Sequence, residues 1–433
     1  MVSRPIANRT APEHGSANTS PAKSGTDEEK RLSDKFAAYR HLVPLVAQNE
    51  DVIFLNAASA PPSNLIVHEA IMKYETEALY EAHPYAKWQE TKEEARRLVA
   101  RCINAESPST IAFTRDTTEG LGTFIRSMPF KPGDNVVMID TEHPNQAYGW
   151  LMLRDAGLEV RQVPTVAAAE RNGYIDAIDA ETLRPYVDDR TRAIGISSIT
   201  FDSGQRNDIA GISAAFRPRG IHVLVDMTQH VGFAPTDVRA LGLSAAAFSL
   251  HKGLNCPTGL GALYVAPAAF AQLADPVPPI VSMAAVRNMA EDLLVRADED
   301  VALWADARRF EHANMSLVAV AAAAAFAAFY LDALGPADVE AHLYGLTGLL
   351  RGECERLGIR VLGPRERERR APHICVLGLD GPEWGAHVRG LGGARVTVNR
   401  LGVRVSFGFY SSAEDVRRFV RVLESGIARG LGV

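Results

Sequence analysis

The chain has 433 residues, 47% hydrophobic and 23% charged, with a formal net charge of −6. That is ordinary for a globular protein of two packed domains or one large α/β unit. It offers no basic excess for nucleic acid or an anionic membrane surface. Cys102, Cys256, Cys354 and Cys375 are widely spread with no Cys-x-x-Cys pair, which argues against a disulfide framework or a zinc site and points to a reducing, cytoplasmic setting.

In chain order, residues 1–30 are rich in Ser, Thr, Pro, Ala and Asn and lack an apolar h-region. They are expected to form a disordered tail and not a secretory signal, and Glu13, Asp27, Glu28 and Glu29 weigh against a transit peptide. Residues 31–62 are expected to pack on the smaller domain. They carry a polar helix from about Asp27 to Gln48, the apolar Val52–Leu55, and small residues from Asn56 to Pro62 that suit backbone lying close to a ligand. Helical periodicity follows over Ser63–Tyr80 and Thr91–Ile103.

From Thr110 short apolar runs alternate with helix-length segments. The strand candidates are Thr110–Thr114, Asn135–Ile139, Glu159–Val163, Ala193–Ser198, His222–Asp226, Ala246–Ser249 and Gly261–Val265. Continuous apolar strands between helices predict a mainly parallel seven-stranded sheet covered on both faces, within a large domain spanning 63–305. Residues 306–433 read as a smaller C-terminal α+β domain. It has helices over Ser316–Leu334, Pro336–Leu357 and Ala413–Arg429 and short strands near Val361, Ile374–Leu377 and Val403–Phe407. The alanine-rich Leu317–Leu334 reads as a buried helix, so no membrane span is expected. The run Arg365–Arg370 reads as a solvated loop.

One residue stands out chemically. Lys252 is the only lysine beyond Lys131 in a chain that elsewhere uses arginine for positive charge. A lysine kept where arginine would serve suggests that its primary amine is needed, because arginine stays protonated and forms no Schiff base. Lys252 closes the apolar run Ser244–His251 and precedes a turn bearing Gly and Pro, where partial desolvation lowers an amine pKa. The plain alternative is a lysine snorkelling at a strand edge.

Other residues are candidates around it. Asp226 ends His222–Asp226, where a carboxylate can keep a pyridinium nitrogen protonated, or can simply cap the next helix. Gln229 follows, placed to donate to a ring's phenolic oxygen. His143, after Asn135–Ile139, can stack on a ring and move protons, or sit at a helix start. Thr117 and Thr118 open a helix whose N-terminus suits a phosphate, although a capping box reads equally well. Arg404, inside an apolar strand, needs an anion: a substrate carboxylate or an internal salt bridge. His83, Tyr85 and Trp88 are either pocket residues or packing aromatics.

Taken together, these segments resemble the class V aminotransferase family of fold-type I pyridoxal-phosphate (PLP) enzymes, which includes cysteine desulfurases, isopenicillin N epimerase-like proteins and C–S lyases. The most specific match is Asp226-Met-Thr-Gln229 followed by Ser249-Leu-His-Lys252. The resemblance runs from about Phe54 to the C-terminus. It implies Lys252 as the Schiff-base lysine, Asp226 on the pyridine nitrogen, Gln229 on the phenolic oxygen and His143 stacked on the ring. Thr118, Ser249 and His251, with Thr117 beside them, would bind the phosphate. Arg404 would hold the substrate carboxylate. Asn56 to Ser59 would lie near the substrate, and Thr200 near the position of a ring-contacting polar residue. Arg309-Phe-Glu-His-Ala-Asn314 is similar to a family stretch whose threonine reaches a neighbouring subunit's phosphate. Asn314 stands at that place, so a homodimer with shared sites is expected.

Cysteine desulfurases carry a nucleophilic cysteine shortly before the place of Arg404, and Gly392–Val403 holds none. The expected function is thus PLP chemistry on an amino acid, a small-molecule substrate, through external aldimine and quinonoid intermediates. The outcome would be elimination, substitution, cyclisation or epimerisation in secondary metabolism, as the segment His143–Trp150 resembles epimerase-like and loline-pathway-type members. Transamination is the runner-up. A PLP-fold binding protein without catalysis is a third reading, opposed by the joint presence of Lys252, Asp226 and Arg404. No metal, nucleic-acid or membrane partner is expected.

Overall fold

The computed structural model describes residues 24–49, 51–273, 278–289, 295, 298, 300–390 and 393–433. The expected tail lies outside the described residues over 1–23. Within its remaining stretch a helix already begins, running Ser24–Tyr39. That helix buries Leu32 and Phe36, and Phe36 stacks on His342 at 4.2 Å. Arg40 then grips Asp415 with both terminal nitrogens, at 2.7 and 2.9 Å. The N-terminal segment is thereby tied to the C-terminal helices Pro336–Arg356 and Ala413–Ala428.

The large sheet contains β2 (Ile111–Thr114), β3 (Asn135–Ile139), β4 (Glu159–Val163), β5 (Thr191–Ser197), β6 (His222–Asp226), β7 (Ala245–Ser249) and β8 (Gly261–Val265). Their order is β2-β8-β7-β6-β5-β3-β4, with only β8 antiparallel to its neighbours. β3, β6, β7 and β8 are buried at every residue, as strands covered by helices on both faces must be. β4 lies at the edge, which is why Glu159 and Gln162 are exposed and Glu159 pairs with Arg161.

The helix Leu317–Phe329 packs on the helices Leu65–Tyr80 and Tyr85–Cys102 and buries Ala319, Val320, Ala323 and Phe326. Leu317–Leu334 meets the length and composition of a membrane span, but these contacts place it in the protein's core. Its alanines let the neighbouring helices approach closely, and the last turn, Tyr330–Leu334, widens to a π-helical turn.

A second, antiparallel sheet has the order β12-β13-β10-β9, from β9 (Val361–Leu362), β10 (Ile374–Leu377), β12 (Thr397–Asn399) and β13 (Gly402–Ser406). Beside it β1 (Ile53–Phe54) pairs in parallel with β11 (Ala394–Arg395). β11 and β12 are absent from the sequence reading because two- and three-residue strands carry too little pattern to register. The stretch 365–370 is not wholly a solvated loop. Arg367–Arg369 forms a 3₁₀ turn, the Arg367 guanidinium lies 4.2 Å from the Tyr344 ring, and Arg370 is half-buried.

Ala58, Ile199, Ala371, Ile374 and Val376 form a separate small core cluster. It joins the residues after β1, the end of β5 and the second sheet. This junction holds the second sheet against the carboxyl ends of the large one.

Candidate active site

The carboxyl ends of β3, β5, β6 and β7 converge with the start of the helix Thr117–Ser127, the place where open α/β sheets hold ligands. Lys252 lies just past β7, in a turn closed by the Asn255 N–H on its carbonyl at 3.0 Å. Two glycines bring that turn onto the segment after Gln229. A Cβ on Gly253 would come within 2.2 Å of the Val231 carbonyl oxygen, and one on Gly232 within 2.3 Å of the Gly253 carbonyl carbon. Only glycine permits this contact, so Lys252 is docked next to the Asp226–Gln229 segment by backbone meeting backbone.

At one end of the site three hydroxyls knit together. Thr117 Oγ1 lies 2.7 Å from Thr228 Oγ1 and 2.7 Å from Ser249 Oγ. The Thr117 N–H donates to Ser249 Oγ, and the Thr228 N–H donates to Asp226 Oδ1 at 2.9 Å. Thr228 thus couples the hydroxyl cluster to the carboxylate. The helix packs so closely that a Cβ on Gly120 would lie 2.9 Å from the Ala247 Cβ. Asp116 caps the same helix through the Glu119 N–H, while the Glu119 carboxylate accepts the Arg115 N–H and not that of Asp116, so one half of the capping box is formed. Thr118 is exposed and outside the cluster.

At the other end lies Arg404, 4% exposed. It donates to the Phe201 carbonyl and, at 3.1 Å, to Thr397 Oγ1, which in turn donates to Asn56 Oδ1 at 2.8 Å. Register explains the relay: Thr397 and Arg404 are partners across β12 and β13, and Asn56 bridges to Ser406. Arg404 Nε is buried with no hydrogen-bond partner, and no described carboxylate pairs with the guanidinium, since Asp202 is engaged by Arg400 at 2.7 Å. The internal salt bridge that the sequence leaves open is not formed.

Between these ends sit Asp226, Gln229, His143, Thr200 and His373. Gln229 donates to the Ala58 carbonyl at 2.8 Å and meets His373 Nε2 at 3.2 Å. His143 caps the helix Pro144–Leu151 through the Asn145 N–H and meets the Phe201 ring edge-on at 4.8 Å. Thr200 is fully buried and its Oγ1 has no partner.

The electrostatics follow from burial. Desolvation pulls the Lys252 amine down to about 8, with Arg404 adding to the drop and Asp226 opposing it. Burial likewise lowers His143, with Asp226 opposing and Lys252 assisting. His251 is lowered by burial and by Lys252. Arg404 is pulled down to about 10 by burial, against the pull of Asp202.

Other expected residues fall outside this cluster. His83 is exposed and Ser59 is exposed one turn from Asn56. Trp88 is a packing aromatic, stacked on Tyr74 at 4.2 Å and bonded to Glu77. Asn314 is exposed beyond Glu311, whose carboxylate is locked to the buried Arg96 at 2.7 Å. Sequence reasoning missed Thr228, His373 and Thr397. Thr228 was within reach, being one residue from Gln229. The other two become visible only through pairing across sheets.

The residues present fit pyridoxal phosphate. A desolvated lysine stands beside a carboxylate, a hydroxyl cluster opens a helix N-terminus, and a buried guanidinium without a carboxylate partner keeps its Nε unbonded, as the buried Thr200 hydroxyl and His373 Nδ1 also are.

Comparison with known proteins agrees. The family model for class-V aminotransferases matches residues 52–419. An uncharacterized aminotransferase of Schizosaccharomyces pombe is 44% identical over 393 residues, covering 91% of this chain and 96% of its own. A probable cysteine desulfurase of Methanothermobacter thermautotrophicus is 34% identical over 232 residues, 52% of this chain and 55% of its own. Among solved structures, the apo cysteine desulfurase from Thermococcus onnurineus superposes with a TM-score of 0.77 at 22% identity, covering 91% of this chain and 98% of its own. A mutant of C-DES, solved with glycine covalently linked to the PLP cofactor, gives 0.75 at 21% identity, covering 88% and 98%. The chain belongs to the class-V aminotransferase family. It is a fold-type I, PLP-dependent enzyme of that family.

Proposed function

We propose that the enzyme binds an α-amino acid and carries out elimination, substitution, cyclisation or epimerisation at its α- and β-carbons, without a persulfide-forming cysteine. The observation that carries this reading is the pairing of a desolvated amine, Lys252, with a buried guanidinium, Arg404, that lacks an anion. One supplies a nucleophile and the other a seat for a carboxylate.

When bound, pyridoxal phosphate supplies an aldehyde for Lys252 and an electron-accepting ring for the substrate's α-carbon. Asp226 would accept the proton-bearing ring nitrogen, and Thr117, Thr228, Ser249 and His251 would hold the phosphate. Arg404 grips the substrate carboxylate, oriented from behind by Thr397 and Asn56. Lys252, whose free amine is neutral above pH about 8, would take and return the substrate's α-proton. His143, held towards its neutral form by desolvation, would stack on the ring and could move a proton.

The cysteines support the exclusion of a persulfide. All four are buried, Cys102 is pushed up to about 12 and Cys375 to about 11, and burial also raises Cys256 and Cys354. Such thiols are poor nucleophiles. Transamination is the second reading, favoured by the printed name of the S. pombe relative. Four free cysteines suit a reducing, cytoplasmic compartment, and the exposed Asn314 suits a homodimer in which a second copy completes the site.

The deciding experiment incubates the purified enzyme with a panel of amino acids in deuterated water. The expected result is either deuterium at Cα in a substituted product or in the opposite enantiomer, a ring-closed product, or release of a β-substituent with ammonia and a keto acid deuterated at Cβ while the cofactor stays in its aldehyde form. A keto acid with stoichiometric conversion of the cofactor to its amine form would establish transamination instead. Cysteine converted to alanine with protein-bound persulfide would overturn the exclusion of desulfurase chemistry.

A further inference from the structure

Beside Asp226 stands a second carboxyl group. Glu142 precedes His143 in the turn after β3 and is 7% exposed. Its Oε1 accepts the Ser197 N–H at 2.8 Å, and its Oε2 lies 2.5 Å from Ser197 Oγ. Ser197 ends β5 and pairs in register with Asp226 on β6. Residues paired across neighbouring strands send their side chains to the same face of a sheet. Glu142 is therefore bound to the residue directly alongside the carboxylate assigned to the cofactor ring.

Among the described residues no lysine, arginine or histidine forms an ion pair with Glu142. An ionised Glu142 would be an uncompensated buried charge next to a second carboxylate, and both conditions favour the neutral acid. Burial raises its carboxyl to about 8, Asp226 adds to the rise, and the bonds from Ser197 and the His143 N–H offset it only in part. The other titratable groups around it are His143, next in the chain, and Lys252, which bears on both His143 and Asp226. A neutral acid can do what a carboxylate cannot. It accepts the Ser197 N–H on one oxygen and donates its own proton to Ser197 Oγ from the other.

We propose that Glu142 is a positioning residue kept as the neutral acid, which ties the His143 turn to the end of β5 and leaves the negative charge at this face to Asp226. This rests on the reading of Asp226 as the partner of the ring nitrogen, but its first test needs no cofactor. In apoprotein, unfolding by urea is compared for wild type and Glu142→Gln from pH 5 to pH 8. A carboxyl raised on folding loses stability as pH rises from its ordinary 4.5 towards its folded value of about 8, because the unfolded chain releases the proton first. Glutamine has no such slope, so the variant should gain on wild type steadily across that window. A difference that stays flat would overturn the neutral acid.

The second test uses the holoenzyme. Glu142→Gln should hold the cofactor within about threefold of wild type and leave the pH titration of its absorbance in place, since glutamine reproduces both contacts. Glu142→Ala should weaken the cofactor about tenfold. If that variant fails to fold, Ser197→Ala, which removes one of the two bonds, should weaken it by a smaller factor. A shift of the absorbance titration by a full unit in Glu142→Gln, or wild-type affinity in both alanine variants, would contradict the proposal. Failure of the wider reading would look different: wild type itself would bind no cofactor, while the apoprotein comparison would stand.

Discussion

The two ends of the site are built on opposite terms. At the end proposed to hold the phosphate, Thr117, Thr228 and Ser249 satisfy one another, and the Thr228 N–H also bonds to Asp226. At the end proposed for the substrate, Arg404 Nε, Thr200 Oγ1, Asp202 Oδ1 and His373 Nδ1 are all buried without partners. A buried polar atom left unpaired costs about 1–3 kcal/mol, and a ligand seated among these four would offset part of that loss. The phosphate end is preorganised inside one sheet. The substrate end is assembled from two sheets and holds valences open for what arrives.

This contrast orders the expected losses. Lys252→Ala should remove the cofactor's lysine-linked absorbance and lower turnover by at least about 1,000-fold, with circular dichroism unchanged. Wild-type-like turnover would end the catalytic reading. Asp226→Ala should cut turnover by about 100-fold while the cofactor stays bound, since its loss acts on the ring's electronics. Arg404→Ala should raise KM about 100-fold with a smaller change in kcat, the loss of two charge-assisted bonds. Arg404→Lys should recover little of it, because a lysine offers no planar fork. If KM is unmoved for every substrate turned over, the open end is structural. Thr228→Val should cost the least, about fivefold in cofactor affinity, because its neighbours share the load.

The same contrast has a pH signature. The Lys252 amine, lowered to about 8, is protonated below that value and free above it. The rate at which apoprotein captures the cofactor should therefore rise with pH and reach half its plateau near 8, as followed by stopped-flow absorbance. A midpoint near the ordinary 10.5 would mean that the amine is solvated. The sign for stability is the reverse of a gain: between pH 8 and 10.5 the unfolded chain retains the lysine's proton and the folded one has lost it, so the lysine's cost to the folded state, full below pH 8, shrinks as pH rises through that window.

The chain order of the fold is readable from the sequence because buried parallel strands are continuous apolar runs. Asn135–Ile139 and His222–Asp226 are predicted residue for residue on that ground, and the bounds of the edge strand Glu159–Val163 and of the antiparallel Gly261–Val265 match as well. Lys252 is legible through the arginine bias around it, and Asp226 through its place at a strand end. Glu142, Thr397 and His373 are not, because their importance comes from register and from contact between sheets, which no local pattern encodes. Gly232 and Gly253 look like ordinary turn glycines until their backbones are seen to touch. His83 shows the reverse case: polar and well placed in sequence, yet exposed.

The most direct measurement is the attachment point itself. Borohydride reduction of the holoenzyme, digestion and mass spectrometry should find a phosphopyridoxyl group on one peptide alone, at Lys252. An unlabelled Lys252, or the group on any of the seven other lysines, would contradict the assignment on which every role above depends.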